Sequence, residues 1–339
     1  MNKKKKFVVL FISLLFVLAI FSVIMLINPF KEDMGPLDEK FAQSVEKPDY
    51  HFAVIAPSSY DPFWNDVKKG AFKAAKEFNV AVEFNSPRFT NPEEELQYLN
   101  IAVASNVDGI ATHVPDENMF TPVINNSVKS NIPVVTIESD AKNSGRLAYI
   151  GNNNYEVGSV GGKMVAEATG GNAKVAIILN GYNPEASDVS QNLRVTGFKD
   201  AVKQYKGRVD VAAIRISGMG IFSAGEIANE LIINNPQINT IFCTNPRDTL
   251  GVIQKIVDLN KVGQIKVIGY GSYSEILRYI EKNVIYGSVV SNPQEMGYKA
   301  VKALVELKTT RRTPAYVGTQ VYAVTKDNVD TLSAEETGK

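Results

Sequence analysis

The chain has 339 residues, with 36 lysines and arginines against 36 aspartates and glutamates. This balance excludes the strongly basic surface on which nucleic-acid binders depend. With 45% hydrophobic and 21% charged residues, the chain is of ordinary globular composition and long enough for about two domains of 100–200 residues. One cysteine and two histidines exclude an internal disulfide and argue against a zinc site, so we expect no metal and no cofactor.

The N-terminus is predicted to hold the chain in the cell membrane. Residues 1–6 form a basic tail with four lysines, and residues 7–27 carry no charge. An apolar helix of about 20 residues spans a bilayer, whereas a signal peptide has a core of about 7–15 residues. The lysines would stay inside, so the rest of the chain would lie outside the cell membrane. We favour an uncleaved single-pass anchor; a long cleaved signal is the alternative. Residues 28–49 are polar and are predicted to be a tether.

From residue 51, short apolar runs alternate with longer segments of helical periodicity. Strands are predicted at residues 51–56, 80–84, 108–112, 133–137, 173–179, 209–216, 240–243, 265–268, 285–290 and 320–324. Helices are predicted at residues 62–78, 92–105, 118–130, 155–168, 187–205, 222–234, 247–259, 273–282 and 293–308. This alternation predicts an α/β fold of parallel sheets covered on both faces. About a dozen strands favour two doubly wound subdomains, with ligands bound beyond the carboxyl ends of strands in the cleft between them.

Catalytic signatures are not found in the sequence. There is no Gly-x-Ser-x-Gly elbow, no P-loop, no His-Glu-x-x-His, and no dinucleotide-binding motif after a strand. The residues at the predicted strand ends are acids, amides and aromatics, which suit a neutral polyhydroxylated ligand. Rings cover the C–H faces of such a ligand, and planar polar groups bond its hydroxyls. We therefore expect a binding protein and not an enzyme.

Seven segments, in order and correctly spaced, resemble the ribose/xylose-type periplasmic sugar-binding proteins. They are residues 54–64, 104–110, 132–137, 151–158, 194–198, 241–245 and 267–270. These are type I solute-binding proteins for pentoses and hexoses, related to the sensor cores of LacI-type repressors. The repressors' DNA-binding headpiece is missing here, and the predicted anchor replaces it. The resemblance covers about residues 50 to 326 of the chain.

The resemblance implies two lobes joined by three hinge strands. The N-terminal lobe would comprise residues 50–152 and 292–318, and the C-terminal lobe residues 153–291 and 319–329, followed by a flexible tail at 330–339. The chain would cross between lobes near residues 152–154, 291–293 and 318–320. A sugar that contacts both lobes only in the closed form shifts the population toward closure, and a partner reads that form.

Ligand contacts in the N-terminal lobe are implied by the same resemblance: Asp61, Phe63, Trp64, His113, Glu138 and Ser139. Asp61 stands where the family has an amide or a carboxylate on a sugar hydroxyl, but it could be only the N-cap of the helix that Pro62 opens. Of the two aromatics we favour Trp64 as the stacking platform. Asp140 is an alternative to Glu138 and Ser139, and a structural role stays open for His113.

Ligand contacts in the C-terminal lobe are implied for Asn192, Met219, Asn245, Tyr270 and Ser291. Asn192 stands in the place of a family arginine, while Arg194 is expected to be a structural hydrogen-bonding residue. Met219 occupies the place of an aromatic over the sugar ring. Asn245 matches the family's ligand asparagine, and Cys243 is expected in the core.

Three positions depart from the family pattern. Gly271 and Pro246 replace aspartates, and Ser291 stands where glutamine is common in ribose binders. Tyr270, Ser272 or Tyr273 could compensate for the loss at Gly271. The ligand is therefore expected to be recognised differently from ribose.

The expected function is extracytoplasmic binding of a monosaccharide, a pentose or hexose such as a xylose-like sugar. Because no lipobox cysteine follows the apolar segment, we favour a sensor whose closed form is read by a membrane histidine kinase of a two-component system. The alternative is the substrate-binding component of a sugar ABC importer, with a permease as partner. A scaffold that has lost ligand binding is a minor alternative.

Overall fold

Two six-stranded sheets form the body of the protein. The computed structural model describes residues 47–180, 189–218 and 220–330. The strands are β1 (His51–Ile55), β2 (Ala81–Asn85), β3 (Gly109–Thr112), β4 (Val134–Ile137), β5 (Ala148–Asn152), β6 (Ala173–Asn180), β7 (Val209–Ser217), β8 (Thr240–Cys243), β9 (Lys266–Tyr270), β10 (Gly287–Ser291), β11 (Tyr316–Thr319) and β12 (Val321–Thr325).

Helices connect most of these strands. They are α1 (Pro62–Glu77), α2 (Pro92–Ala104), α3 (Glu117–Lys129), α4 (Asn154–Thr169), α5 (Val189–Val202), α6 (Ile221–Asn234), α7 (Pro246–Asp258), α8 (Ser274–Glu281) and α9 (Pro293–Thr309). A short 3₁₀ turn, Lys203–Tyr205, follows α5. Across residues 47–180, 189–218 and 220–330, no helix is both long and apolar enough to cross a membrane. The predicted anchor at residues 7–27 lies outside these described residues.

The two sheets have the same strand order. The sheet of the N-terminal lobe runs β11-β5-β4-β3-β1-β2, and that of the C-terminal lobe runs β12-β10-β9-β8-β6-β7. This confirms the prediction of two α/β subdomains. Strands β5 and β11 were not predicted, since no helix separates β5 from β4 or β11 from β12, and the prediction rested on strands that alternate with helices.

One strand departs from the parallel sheets expected from the sequence. β12 is antiparallel to β10, whereas β11 is parallel to β5. Only Gln320 separates β11 from β12, so the chain continues in the same direction from one sheet into the other. β12 begins at the sheet edge where β10 ends, since Val321 pairs with Ser291, and it therefore runs back along β10 in the opposite direction.

Each sheet buries alternate residues against different helices, as the two-residue period of a strand requires. On β1, Phe52 and Val54 pack with α1 and α9, and Ala53 and Ile55 pack with α2 and α3. On β6 the corresponding cores contain α4 and α5 on one face and α6, α7 and α8 on the other. Both sheets are thus covered on both faces, which leaves the strand ends as the places where loops can carry a site.

The chain passes between the lobes three times: between β5 and α4, between β10 and α9, and between β11 and β12. The first two passages coincide with helix N-caps. Asn153 accepts backbone hydrogen bonds from Tyr155 and Glu156, and Asn292 accepts one from Glu295. The caps fix where each helix begins, so any rotation is confined to the short stretch before the cap.

Two glycines of the family-like segments allow close helix packing. A Cβ at Gly197 of α5 would lie 1.9 Å from the carbonyl oxygen of Tyr155, and a Cβ at Gly158 of α4 would lie 1.8 Å from that of Arg194. Both distances are far inside van der Waals contact, so only glycine fits. Helices α4 and α5 are therefore held together beside the first passage, and Arg194 is placed at the edge of the interlobe cleft.

Candidate ligand site between the lobes

Asp61 connects the two lobes. It follows β1 and caps α1, since its Oδ1 accepts a hydrogen bond of 3.0 Å from the backbone N–H of Phe63. The same oxygen accepts a bond of 2.7 Å from the hydroxyl of Tyr273 in the C-terminal lobe. The Arg247 guanidinium of that lobe lies 3.7 Å from Oδ2. Asp61 is therefore an N-cap, as one interpretation of the sequence held, and also a contact across the cleft.

Tyr273 is the donor in this contact. Burial raises the pKa of its hydroxyl, and the charge of Asp61 raises it further, so the hydroxyl keeps its proton at neutral pH. A hydrogen bond to a charged group contributes about 1.5–3 kcal/mol when it is well shielded. The contact therefore favours the arrangement in which the lobes are close together.

His113, which follows β3, lies between the carboxylates of Glu95 on α2 and of Glu138 after β4. Its Nδ1 is 2.9 Å from Oε1 of Glu95, and its Nε2 is 3.6 Å from Oε2 of Glu138. The Glu95 side chain is fully buried, and that of His113 is 13% exposed. Burial opposes a low pKa for Glu138, but the His113 contact and the charge of Arg194 outweigh it and lower that pKa. Glu138 is therefore ionised at neutral pH.

The backbone of Glu138 is strained. Its φ is +66°, in the left-handed region that residues other than glycine seldom occupy. Its carbonyl oxygen accepts a 2.8 Å hydrogen bond from the Tyr149 hydroxyl, which helps to hold this conformation. Strain of this kind concentrates at functional sites, where surrounding structure maintains it. The role of Glu138 in ligand contact stays a prediction.

The two residues after Glu138 have local partners. The Ser139 hydroxyl accepts a 2.8 Å bond from the backbone N–H of Val114. Asp140 accepts bonds of 2.7 and 2.6 Å from the Arg146 guanidinium. Both residues fix the loop that carries Glu138. Asp140, the alternative left open by the sequence, is thus engaged in an ion pair within its own lobe.

The adjacent aromatics of α1 differ in exposure. Trp64 is 5% exposed and belongs to the core, with its ring edge-on to His113 at a centroid distance of 5.4 Å. Phe63 is half-buried and lies edge-on to Trp64. In this arrangement Phe63 has more free ring surface than Trp64, which we favoured as the platform. Trp64 also packs against His113, and its role as the stacking platform stays a prediction.

A hydrogen-bond network joins the strands next to the passages. The Tyr270 hydroxyl accepts a 3.0 Å bond from the Asn152 amide and lies 3.4 Å from the Ser291 hydroxyl. Thr319 donates a 2.9 Å bond to Asn152. Tyr270 and Ser291, both predicted ligand contacts, are therefore buried at the junction of the lobes. This network links β5, β9, β10 and β11, so it couples all three passages.

The arginine of α5 has a structural position, as predicted. Arg194 donates bonds of 2.7 Å to the Asn154 side chain and 2.8 Å to the Thr244 carbonyl. Its guanidinium also lies 5.4 Å from the centre of the Tyr270 ring. Asn192, the predicted ligand contact two positions earlier, is exposed. Met219 lies outside the described residues.

Asn245 caps α7. Its Oδ1 accepts bonds of 2.9 Å from the backbone N–H of Arg247 and 3.4 Å from that of Asp248. The acceptor is thus occupied by the helix, while the side-chain Nδ2 can donate to a ligand. Asn245 follows β8, so it stands at the same edge of the C-terminal sheet as Tyr270 and Ser291, which end β9 and β10.

Two departures from the family pattern contact each other. Gly271 has φ +91°, and a Cβ there would lie 2.6 Å from Cγ of Pro246. An aspartate at residue 271 would be strained and would collide with this proline. Pro246 therefore requires glycine at residue 271. Tyr273, one of the three compensating residues considered from the sequence, bonds Asp61.

Three residues of the site were not predicted as ligand contacts: Glu95, Asn152 and Arg247. Glu95 is one of three acidic residues in the first turn of α2. In the sequence such a run is accounted for by the helix dipole, which favours acidic residues at a helix start, so it does not indicate a site. Asn152 and Arg247 are neighbours of predicted elements, and the approach of the opposite lobe gives Asn152 its bond with Tyr270 and Arg247 its contact with Asp61. No local pattern could have singled them out.

A cavity of about 380 Å³ lies beside the second passage. Asp66, Lys69 and Lys73 of α1 line one side, and Ser272 and Leu277 of the C-terminal lobe line the other. Of the predicted ligand contacts, Ser291 reaches it. Because its walls belong to both lobes, its shape depends on their relative position.

Comparison with known proteins decides the family. A profile of the periplasmic binding protein domain matches residues 52–311. The chain belongs to this family. Its members are binding proteins and not enzymes, in line with the ribose/xylose-type resemblance found in the sequence.

Three relatives of this binding protein have sugar-related names. The chain is 38% identical to GanP, a glucose-galactose binding protein from Geobacillus stearothermophilus, with a TM-score of 0.76 over 83% of this chain and 99% of that one. It is 31% identical to a chain of the XylFII–LytSN complex, with a TM-score of 0.71 over 83% of this chain and 98% of that one. The ribose import binding protein RbsB of Bacillus subtilis strain 168 is 24% identical over 269 residues, 78% of this chain and 83% of RbsB.

Asn245→Asp should separate ligand binding from helix capping in this binding protein. Aspartate is as good an N-cap as asparagine, but its carboxylate cannot donate. We expect a nearly unchanged melting temperature and a loss of sugar affinity of roughly 1–3 kcal/mol, measured by calorimetry. Asn245→Ser, which also caps, is the matched control without the added charge. Unchanged affinity in both variants would remove Asn245 from the site.

Tyr273→Phe should loosen the lobes. The change removes only the hydroxyl that Asp61 accepts, so without sugar the radius of gyration in small-angle scattering should rise. Sugar affinity should fall about fivefold, the equivalent of about 1 kcal/mol. Tyr298→Phe is the matched control, because it removes a 2.8 Å bond to Glu77 within the N-terminal lobe. Equal scattering and affinity in both variants would show that the Asp61–Tyr273 contact does not hold the lobes.

Proposed function

We propose that this binding protein captures a pentose or hexose outside the cell and reports its presence by closure of the two lobes. The observation that carries the proposal is the position of Asp61, which a hydroxyl of the other lobe reaches at 2.7 Å. A sugar bound at Asp61 would contact both lobes at once. Such a ligand binds the closed form better than the open one and shifts the population toward it.

The motion would take place about the three passages between the lobes, as a hinge. The Tyr270–Asn152–Ser291 network lies at this junction and links the strands that enter it. Binding needs no catalytic group, and the site as built holds its polar side chains in fixed hydrogen bonds. We propose capture without chemical conversion of the sugar.

We favour a sensor as the output of closure, with a membrane histidine kinase as the partner. The similarity to XylFII in its complex with LytSN supports this choice. The alternative is delivery to the permease of a sugar ABC importer, which the similarity to a ribose import binding protein supports. The proposed anchor at residues 7–27 would keep the protein at the membrane surface, within reach of either partner.

A thermal-shift screen of the full-length chain tests sugar capture. D-xylose, D-ribose, D-allose, L-arabinose, D-glucose and D-galactose form the panel, and a sugar that binds the folded state raises the melting temperature by mass action. Trp64, the one tryptophan, lies against His113 and should change its fluorescence when the same sugar binds. A panel without any shift in melting temperature would favour the non-binding scaffold.

Deletion of the gene in its source organism distinguishes a sensor from an importer component. If the protein is a sensor, the deletion strain loses sugar-induced transcription. Its uptake of labelled sugar persists once the transporter is expressed constitutively, because transport itself does not need the sensor. Loss of uptake under constitutive expression would favour the importer.

N-terminal sequencing of the protein extracted from membranes tests the anchor: a mature chain that begins at residue 28 or later would exclude it.

A further inference from the structure

Glu95 is a buried carboxylate that the proposed function does not explain. It lies on α2 with a side-chain exposure of 0%, and its Oε1 is 2.9 Å from Nδ1 of His113. Its other oxygen, Oε2, has no hydrogen-bond partner among the described residues. A buried carboxylate without a balancing charge costs several kcal/mol. Such a group either takes up a proton or lies beside a cation, and His113 is in position to be that cation.

The surroundings of His113 are acidic. Glu95 approaches one nitrogen of the ring from α2, and Glu138 approaches the other from the end of β4. The edge of Trp64, from α1, is uncharged. Beyond Glu138 lie the Tyr149 hydroxyl of β5, which bonds its carbonyl, and Arg194 of α5, whose charge acts on its carboxylate. One imidazole thus faces two carboxylates. A neutral ring would give neither carboxylate a positive charge next to it.

We propose that Glu95 is a positioning residue of the ligand site, which holds His113 as an imidazolium with a permanent Nε2–H donor beside Glu138. The role in ligand binding rests on the proposed function. A sugar hydroxyl in this corner can accept from His113 and donate to Glu138 at the same time. Without Glu95 the ring could lose its proton, and Nε2 could become an acceptor that competes for the same hydroxyl proton.

The electrostatics of the cluster agree with this geometry. Burial alone would lower the pKa of His113, but the charge of Glu95 and the contacts with both carboxylates outweigh it and raise that pKa to about 10. Burial raises the pKa of Glu95, and the charge of His113 partly offsets this rise. Because the His113 pKa is raised, the imidazolium contributes stability at neutral pH that is lost as pH rises through about 10.

Histidine NMR on the full-length protein tests the proposal directly. The chain contains only His51 and His113, so ¹³C,¹⁵N-histidine labelling gives two ring spectra, assigned with a His51→Gln variant. We expect both ring nitrogens of His113 to remain protonated at pH 8.5. A neutral His113 ring at pH 7 would place the proton on Glu95 and overturn the proposal. This titration needs no change at Glu95, so it decides the question even if such variants do not fold.

Glu95→Gln identifies the source of the effect. Glutamine has the same shape without the charge, and the His113 midpoint should fall from about 10 to about 7, close to the ordinary histidine value. Glu93→Gln is the matched control, since Glu93 lies exposed in the same first turn of α2. An unchanged His113 titration in folded Glu95→Gln would show that Glu95 does not hold the proton.

Calorimetry with D-galactose and D-xylose tests the link to binding. For a sugar that binds the wild type, affinity should be equal at pH 6 and pH 8.5. In Glu95→Gln it should be about tenfold weaker at pH 8.5 than at pH 6, as expected for loss of one donor. Equal affinities in the variant at both pH values would refute the role in binding. If neither sugar binds the wild type, the proposed function fails for these sugars, while the NMR result still decides the state of His113.

Discussion

The edge at which parallel strands end is the constraint on which the site depends. In a parallel sheet every strand ends at the same edge, and the helices that follow begin there. Their first N–H groups need acceptors, and in this chain Asp61, Asn153, Asn245 and Asn292 supply them. Polar side chains required by the helices are thereby collected at the cleft. The chemistry that begins a helix and the chemistry that binds a hydroxyl are provided by the same residues.

The repeated strand order of the two lobes makes the cleft nearly symmetric. β5 and β10 hold equivalent places in their sheets, and each leads into a passage with a capping asparagine, Asn153 or Asn292. The third passage breaks the symmetry because β11 and β12 are joined by Gln320 alone. Two passages are thus defined by helix starts and one by a continuous extended chain.

Periodicity and caps were sufficient to predict the helices and most of the strands. Pro62 after Asp61, for example, marks the start of α1 in the sequence as clearly as in the structure. The strands that escaped prediction, β5 and β11, each adjoin another strand in the sequence with no helix between them, so the alternation of strands and helices does not mark them. In the site, Asp61 and Asn245 could be found because strand ends and caps are local signals. Tyr273 could be considered but not selected, and Arg247 could not be found, because each meets Asp61 only through the fold.

Three carboxylates at the cleft each lie near a cationic side chain, either across the lobes or in the interior of the protein. Asp61 faces Arg247 at 3.7 Å, Glu95 faces His113 at 2.9 Å, and the charge of Arg194 acts on Glu138. With His113 protonated, these three carboxylates are matched by three cations. An anionic ligand would lie beside carboxylates, and a cationic ligand would lie beside guanidinium groups. Either ligand would lose its hydration without gaining an unpaired charge of opposite sign, so its binding would be disfavoured. A neutral sugar avoids that cost, since its hydroxyls can insert as donors and acceptors between charges that already balance. The balance depends on the proton of His113, which makes Glu95, the most deeply buried of the six, decisive for the ligand that the cleft accepts.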